Sequence, residues 1–257
     1  MSRDVSAILV TGGTGTLGRV VVDYLLAESQ SVTVLSRRPA PATASATRWA
    51  VGDLRSGDGI DAAVAGNETI IHCASQRGDV GSARRLVEAA RRAGCSHLVY
   101  ISIVGVDEVP IGYYRSKLEV EHLIEGSGLP FTILRTTQFH NLIVRALEAL
   151  SRVPVMPVPS HTSFQPIDVR EVATRLIELS GGAPAGRVTD MGGPEVLGVQ
   201  DLARRYLSAR ARRRLVVPVW LPGRGFAGFR HGGNLTPEHA TGRFSFDQFL
   251  EERYSVA

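Results

Sequence analysis

The chain is 257 residues long, 44% hydrophobic and 21% charged, which suits a single α/β domain or a large domain carrying a small appendage. Two cysteines, Cys73 and Cys95, are too few for a disulfide framework and lack paired metal-ligand spacing, so no metal is expected. No apolar run approaches the ~18 residues of a membrane span, and Met1 to Asp4 runs into the strand-like Ala7-Ile8-Leu9-Val10 without a secretory pattern, so a reducing cytoplasm and no membrane partner are expected.

In chain order, short β-rich runs alternate with helical stretches. Val5–Thr11, Ser31–Ser36, Arg48–Val51, Thr69–Cys73, His97–Ile103 and Phe131–Arg135 read as six strands. The helical patterns between and after them cover Thr16–Ser29, Ser56–Ala65, Val80–Ala93, Gly112–Gly126 and Gln138–Arg152. This rhythm predicts a doubly wound parallel Rossmann sheet, and right-handed crossovers give the order 3-2-1-4-5-6, with room for a seventh strand. Arg38 to Thr47, rich in Pro, Ala, Ser and Thr, reads as a loop.

From about Val153 the rhythm weakens, so the expected division is a nucleotide-binding domain over 1–153 and a smaller mixed C-terminal subdomain over 154–257, partly returning to the sheet as a substrate cap. Pro154, Pro157 and Pro159 are followed by a strand near Phe164, a helix over Asp168–Leu179, strand candidates Arg187–Met191 and Leu215–Trp220, and a helix over Phe244–Tyr254. Asp168 is placed as a helix N-cap. The net charge of +4 and the cluster Arg210, Arg212, Arg213 and Arg214 raise nucleic acid as a partner. The cluster lacks interleaved aromatics and follows an amphipathic run from Gln200 to Ala209, so a solvated helix end is preferred and no nucleic acid is expected.

Two motifs carry chemistry. The first strand ends in Thr11-Gly12-Gly13-Thr14-Gly15-Thr16-Leu17-Gly18 and a helix follows at once. Gly12 permits the tight turn, Gly15 lets backbone approach a pyrophosphate, Gly18 lets the helix pack closely, and the helix N-terminus supplies partial positive charge. The second motif is Tyr113-Tyr114-Arg115-Ser116-Lys117, holding the single lysine among 29 basic residues. Residues i and i+4 share a helix face, as do i and i+3, so either tyrosine suits a pairing with Lys117. A cation at roughly 4–5 Å, with an effective dielectric of about 20, is worth about 3–4 kcal/mol, enough to lower a phenol pKa of about 10 by about two units.

The Gly-x-x-Gly-x-x-Gly spacing and the Gly-Gly-Thr-Gly opening resemble the atypical, NmrA-like branch of the short-chain dehydrogenase/reductase superfamily, over Val5 to about Ala173. The resemblance makes Gly12, Gly13, Thr14, Gly15, Thr16, Leu17 and Gly18 the cofactor loop. Where relatives that use NAD carry an acid, the second strand here ends Leu35-Ser36-Arg37-Arg38, and a hydroxyl with two guanidiniums suits a 2′-phosphate, so NADP(H) is the expected cofactor. Asp53 and Leu54 resemble the adenine contact, and Ala74 and Ser75 the backbone near the nicotinamide-side ribose, while His72 and Cys73 read as packed core.

The resemblance further implies a catalytic Ser102 at the end of the fifth strand, Tyr113 as proton donor, and Lys117 as the group that binds the ribose and lowers the phenol pKa. Gln138, Phe139, His140 and Asn141 are the candidate substrate contacts, or only the start of a helix. The expected function is NADPH-dependent reduction of a small ketone, quinone or enone, a ketoreductase or quinone reductase. Two alternatives stand beside it: a non-catalytic NADP(H)-sensing regulator, and a nucleotide-sugar epimerase, which shares the Tyr-x-x-x-Lys pair but usually takes NAD. Oligomeric state is open.

Overall fold

A computed structural model describes residues 7–41, 47–74 and 79–255. The first half follows the alternation of the sequence: β1 (Ile8–Thr11), α1 (Thr16–Ala27), β2 (Val32–Ser36), β3 (Arg48–Val51), α2 (Ile60–Val64), β4 (Thr69–His72), α3 (Asp79–Arg92), β5 (His97–Ile103), α4 (Gly112–Glu125), β6 (Phe131–Thr136) and α5 (His140–Leu150). The remainder is β7 (Val155–Pro159), β8 (Ser163–Phe164), α6 (Val169–Gly181), β9 (Gly186–Arg187), β10 (Leu197–Gly198), α7 (Val199–Ala209), β11 (Leu215–Val219), α8 (Arg224–Arg230) and α9 (Phe246–Tyr254).

Among the described residues seven strands form one parallel sheet in the order β3-β2-β1-β4-β5-β6-β9. The predicted order is therefore observed, and the seventh strand pairs through Thr132↔Gly186 and Ile133↔Arg187. β1 and β4 are buried along their whole length and β5 nearly so, which is why their sequences are mostly apolar without regular alternation. β3, at the edge, is only partly covered.

Contacts divide the chain into two compact units that are interleaved in sequence. The first takes the residues up to Ser102, then Ser116–Leu134 and Val172–Val188; the second takes Ile103–Arg115, Arg135–Glu171 and the residues from Thr189 onward. The core of the first is built around Leu9, Ile70, Leu86, Leu98, Ile124 and Ile133. The second has its own core around Val144, Leu147, Met156, Leu202, Tyr206 and Phe246.

The proline-rich stretch after Val153 is the largest departure from the sequence reading. Val155–Pro159 is a strand, paired in parallel with Leu215–Val219. Leu215 N–H bonds Pro154 O and Ser160 N–H bonds Val219 O, so the N–H positions of Pro157, Pro159 and Pro218 fall on the sides facing away from the partner strand. A two-stranded ribbon leaves each strand one such side, and prolines fit there. β10 and α8 also escape prediction. α2 starts at Ile60 instead of Ser56, because Ser56 and Asp58 bond each other in a turn and Gly59 caps the helix in a left-handed conformation.

Candidate functional site

The glycine turn after β1 is built by steric necessity. Gly12 has φ +71°, and a Cβ there would meet Ala74 N at 2.7 Å, so both the backbone and its neighbour demand glycine. Gly15 N–H closes the turn on Gly12 O at 2.8 Å. A Cβ on Gly18 would collide with the Gly12 carbonyl, so this glycine seats α1 against the turn itself. Gly13 lies under Val34, and Leu17 is buried in the fold. Thr14, Gly15 and Thr16 are exposed. Gly15 is the N-cap of α1, without a side-chain cap or an acidic residue in the first turn, which leaves the helix N-terminus electropositive.

A cleft of about 460 Å³ opens beside this turn, entirely within the first unit. Gly12, Thr14, Ser36, Arg37, Arg38 and Asp53 line it, and Leu54 and Ala74 complete the predicted set that it brings together. Ser75 lies outside the described residues. Asp53 does not cap α2; its Oδ1 accepts the Arg55 N–H at 2.9 Å, and this turn sets Arg55 on the cleft as a third guanidinium. Trp49 also lines it and donates its indole N–H to Arg38 O at 2.8 Å. Neither Arg55 nor Trp49 is singled out by the sequence. The one available signal is an aromatic residue in an edge strand beside an arginine pair.

His72 borders the cleft at the end of β4. Its Nδ1 lies 2.6 Å from Thr11 Oγ1, and its ring stacks on Tyr100 at 5.4 Å between centroids. Burial, with the Lys117 charge second, pushes its pKa down to about 3, so the ring is neutral. Lys117 is only 1% exposed; its Nζ sits 4.7 Å from the Tyr100 ring centre and donates to Ile101 O at 3.2 Å. Ser102 is also 1% exposed, and its Oγ has no hydrogen-bond partner among the described residues.

The two tyrosines of α4 differ sharply. Tyr113 is 42% exposed, one turn before Lys117 on the same helix, whereas Tyr114 is 4% exposed. Gln138 Nε2 donates to the Tyr114 hydroxyl at 2.9 Å, and burial pushes that phenol up to about 12. Tyr114 is therefore a poor acid at neutral pH.

The other candidate substrate residues lie in the second unit. Phe139 is half-buried and caps α5, and Asn141 carries a buried Oδ1 without a partner among the described residues. His140 is wholly buried, stacked on Phe249 at 5.1 Å with Nε2 3.0 Å from Phe244 O, and burial lowers its pKa. Asp168 precedes α6 and accepts the Arg170 amide at 2.8 Å as an N-cap. Burial opposes its charge, yet the Arg170 hydrogen bonds hold its carboxyl below the usual range. In the basic cluster, Arg210 lies over the Tyr254 ring at 4.7 Å and Arg214 Nε donates to Ser151 O at 3.0 Å. Among the described residues no group of three or more His, Cys, Asp or Glu is arranged to hold a metal, and no helix is long and apolar enough to cross a membrane.

Residues 12–177 match a family model described as NAD(P)H-binding. Over 200 residues the chain is 30% identical to a (4-alkanoyl-5-oxo-2,5-dihydrofuran-3-yl)methyl phosphate reductase of Streptomyces griseus, covering 76% of this chain and 70% of that one. It is 27% identical over 209 residues to quinone oxidoreductase 2 of Escherichia coli, covering 76% and 72%. In fold it is similar to the Escherichia coli NADPH-dependent quinone oxidoreductase solved with NADPH, with a TM-score of 0.83 at 18% identity over 96% of this chain and 99% of that one.

Proposed function

This chain belongs to the NAD(P)H-binding family, in its atypical short-chain dehydrogenase/reductase branch, and we propose that it is an NADPH-dependent oxidoreductase reducing a ketone, quinone or enone of modest size. The observation that carries this is the cleft joining the glycine turn to Arg37 and Arg38. Its fit to the cofactor rests on the Gly12 turn, which a Cβ would fill, and on the electropositive start of α1. Gly12 to Gly18 would hold the pyrophosphate, Arg37 and Arg38 the 2′-phosphate, and Leu54 the adenine, with Lys117 at the nicotinamide-side ribose.

Bound NADPH supplies a hydride to the carbonyl carbon. In the same reading Tyr113 gives its phenolic proton to the carbonyl oxygen, so that C=O becomes CH–OH; from a quinone this first product becomes the hydroquinone when the new C–H is lost as a proton to water and the second oxygen takes a proton up. The exposure of Tyr113 supports that role, since a donor must reach substrate, and the raised pKa of Tyr114 counts against its neighbour. Ser102, with its buried Oγ that has no partner among the described residues, is the hydroxyl offered to a ligand oxygen.

The test is consumption of NADPH and of NADH against a panel of quinones, cyclic ketones and enones. NADPH should be preferred by roughly a hundredfold in kcat/KM, the worth of about two charge-assisted contacts to one phosphate. Tight NADPH binding without turnover on any acceptor would instead assign the chain to the sensing regulators.

A further inference from the structure

The two-stranded ribbon of the second unit turns an apolar face outward. Met156 and Val158 belong to that unit's core, so strand alternation turns Val155 and Pro157 the other way, and the parallel register sets Leu215 and Val217 beside them. Val155 is 48% exposed and Leu215 64%. With Val153 before β7 and Trp220 after β11, they make up half of the exposed large hydrophobic side chains among the described residues. Scattered exposure is ordinary, but such a concentration marks a contact surface.

Charge singles out the same place. Residues 202–237 carry eight arginines and no Asp or Glu, and residues 149–167 carry Arg152 and no acid. Since the whole chain has a net charge of +4, everything outside 202–237 sums to −4. Arg204, Arg212, Arg213 and Arg214 line a hollow together with Leu215 and Val216, so cations and apolar surface adjoin. Arg204 pairs with Asp201 at 2.9 Å, whereas Arg212 and Arg213 are exposed and have no acidic partner among the described residues. Just beyond the far end of β11, the Arg230 guanidinium lies over the Trp220 ring at 3.9 Å.

Physical chemistry separates the occupants that this face can meet. Strand addition is blunted, because Pro157, Pro159 and Pro218 stand at outward N–H positions on both edges of the ribbon. A second copy docked by two-fold symmetry would set arginines against arginines with no acid to receive them. A nucleic acid matches the cations but leaves Val153, Val155 and Leu215 against phosphate and sugar. An anionic bilayer meets every part. Guanidiniums bind lipid phosphates, apolar side chains enter the boundary between headgroups and acyl chains, and an indole prefers that boundary.

We propose that the β7–β11 ribbon is a peripheral docking surface for a membrane rich in anionic phospholipid. The expectation of no membrane partner rested on the lack of a spanning run, and a surface of this kind needs none. Docking of this kind does not depend on the oxidoreductase reading.

The experiment is flotation of the full chain with large unilamellar vesicles of phosphatidylcholine, alone or with about one third phosphatidylglycerol. The anionic vesicles should bind at least about tenfold more tightly, and raising salt from about 0.1 M to about 0.5 M should remove most of that gain. Replacing both Arg212→Gln and Arg213→Gln should weaken binding to the anionic vesicles by about thirtyfold. Leu215→Asn should weaken it by about threefold to tenfold. Tryptophan emission should move to the blue on anionic vesicles, and the shift should be absent in Trp220→Phe. NADP⁺ affinity and thermal midpoint should hold in these variants. Absence of flotation with anionic vesicles, equal flotation with both compositions, or indifference to both the arginine and the Leu215 substitutions would overturn the proposal. So would a DNA duplex that outcompetes the vesicles, or a dimer in sedimentation velocity that Leu215→Asn dissociates, since each gives the face another occupant.

Discussion

Lys117 holds its ammonium 4.7 Å from the centre of the Tyr100 ring while donating to Ile101 O at 3.2 Å. A charge 1% exposed survives burial only with compensation, and the negative face of the ring and the carbonyl dipole both contribute it. This gives one physical reason for a lysine in a chain otherwise wholly arginine at its basic side chains: the seat takes a compact ammonium, not a planar fork. Tyr100→Phe should leave NADPH affinity within about twofold, whereas Tyr100→Leu should weaken it by roughly tenfold, given about 1–2 kcal/mol for a desolvated cation–π contact. Cofactor titration of the two variants checks it, and equal affinities would show that the ring does not position the lysine.

His72 predicts a pH dependence of stability. Its folded pKa of about 3 lies below the ordinary 6.5, so between these values the unfolded chain binds a proton that the folded chain refuses. Stability from this residue is complete above pH 6.5 and is lost as pH falls towards 3, by about 1.4 kcal/mol per unit. His97 and His140, also lowered chiefly by burial, act in the same direction. Urea unfolding of the wild type should therefore show a fall from about pH 7 to about pH 5 that is about 2 kcal/mol larger than in His72→Asn. Parallel pH profiles would mean that His72 is not held neutral.

The cleft predicts cofactor discrimination beyond the two arginines visible in sequence. Arg37→Ala and Arg38→Ala should each weaken NADPH by roughly tenfold to a hundredfold and leave NADH nearly unchanged, since only one of the two carries the 2′-phosphate. Arg55→Ala should act in the same direction by about threefold to tenfold. Trp49→Phe removes the donor to Arg38 O and should reproduce part of the Arg38 loss. Direct titration with both cofactors measures all four, and an equal loss for NADH would place these residues outside phosphate recognition.

Tyr113→Phe should cut kcat by about a hundredfold or more, the worth of a positioned proton donor, while NADPH affinity stays within about twofold. The control is Tyr114→Phe, which should have a much smaller effect on kcat. Steady-state kinetics with a quinone acceptor separates them, and a reversed pattern would exchange the two roles.

Much of the cofactor half is legible from local rules. β1, β4 and β5 announce themselves as largely apolar runs without regular alternation, because a parallel sheet buries both faces of its inner strands. Gly12 and Gly18 stand out because their constraints, a left-handed turn and a close helix seat, act within a few residues of each other. Arg37 and Arg38 follow for the same reason: they sit immediately after β2 and border the cleft with Ser36.

Other features depend on partners distant in the chain. Trp49 reaches the cleft because β3 pairs with β2 in the register Val34↔Trp49, and Arg55 because Asp53 turns the backbone after that strand. Val155–Pro159 becomes a strand only when Leu215–Val219 supplies its hydrogen bonds, some 60 residues on, a distance at which no periodicity speaks. The contrast between Tyr113 and Tyr114 is invisible in their spacing from Lys117; it is burial beside Gln138 and Phe229 that makes one a neutral donor and leaves the other exposed. Composition and turn chemistry thus decide the sheet and the glycine turn after β1, since these are written in neighbouring residues. Tertiary packing decides which side chains are desolvated, and desolvation sets the pKa of His72 and Tyr114 and leaves Ser102 Oγ without a partner among the described residues.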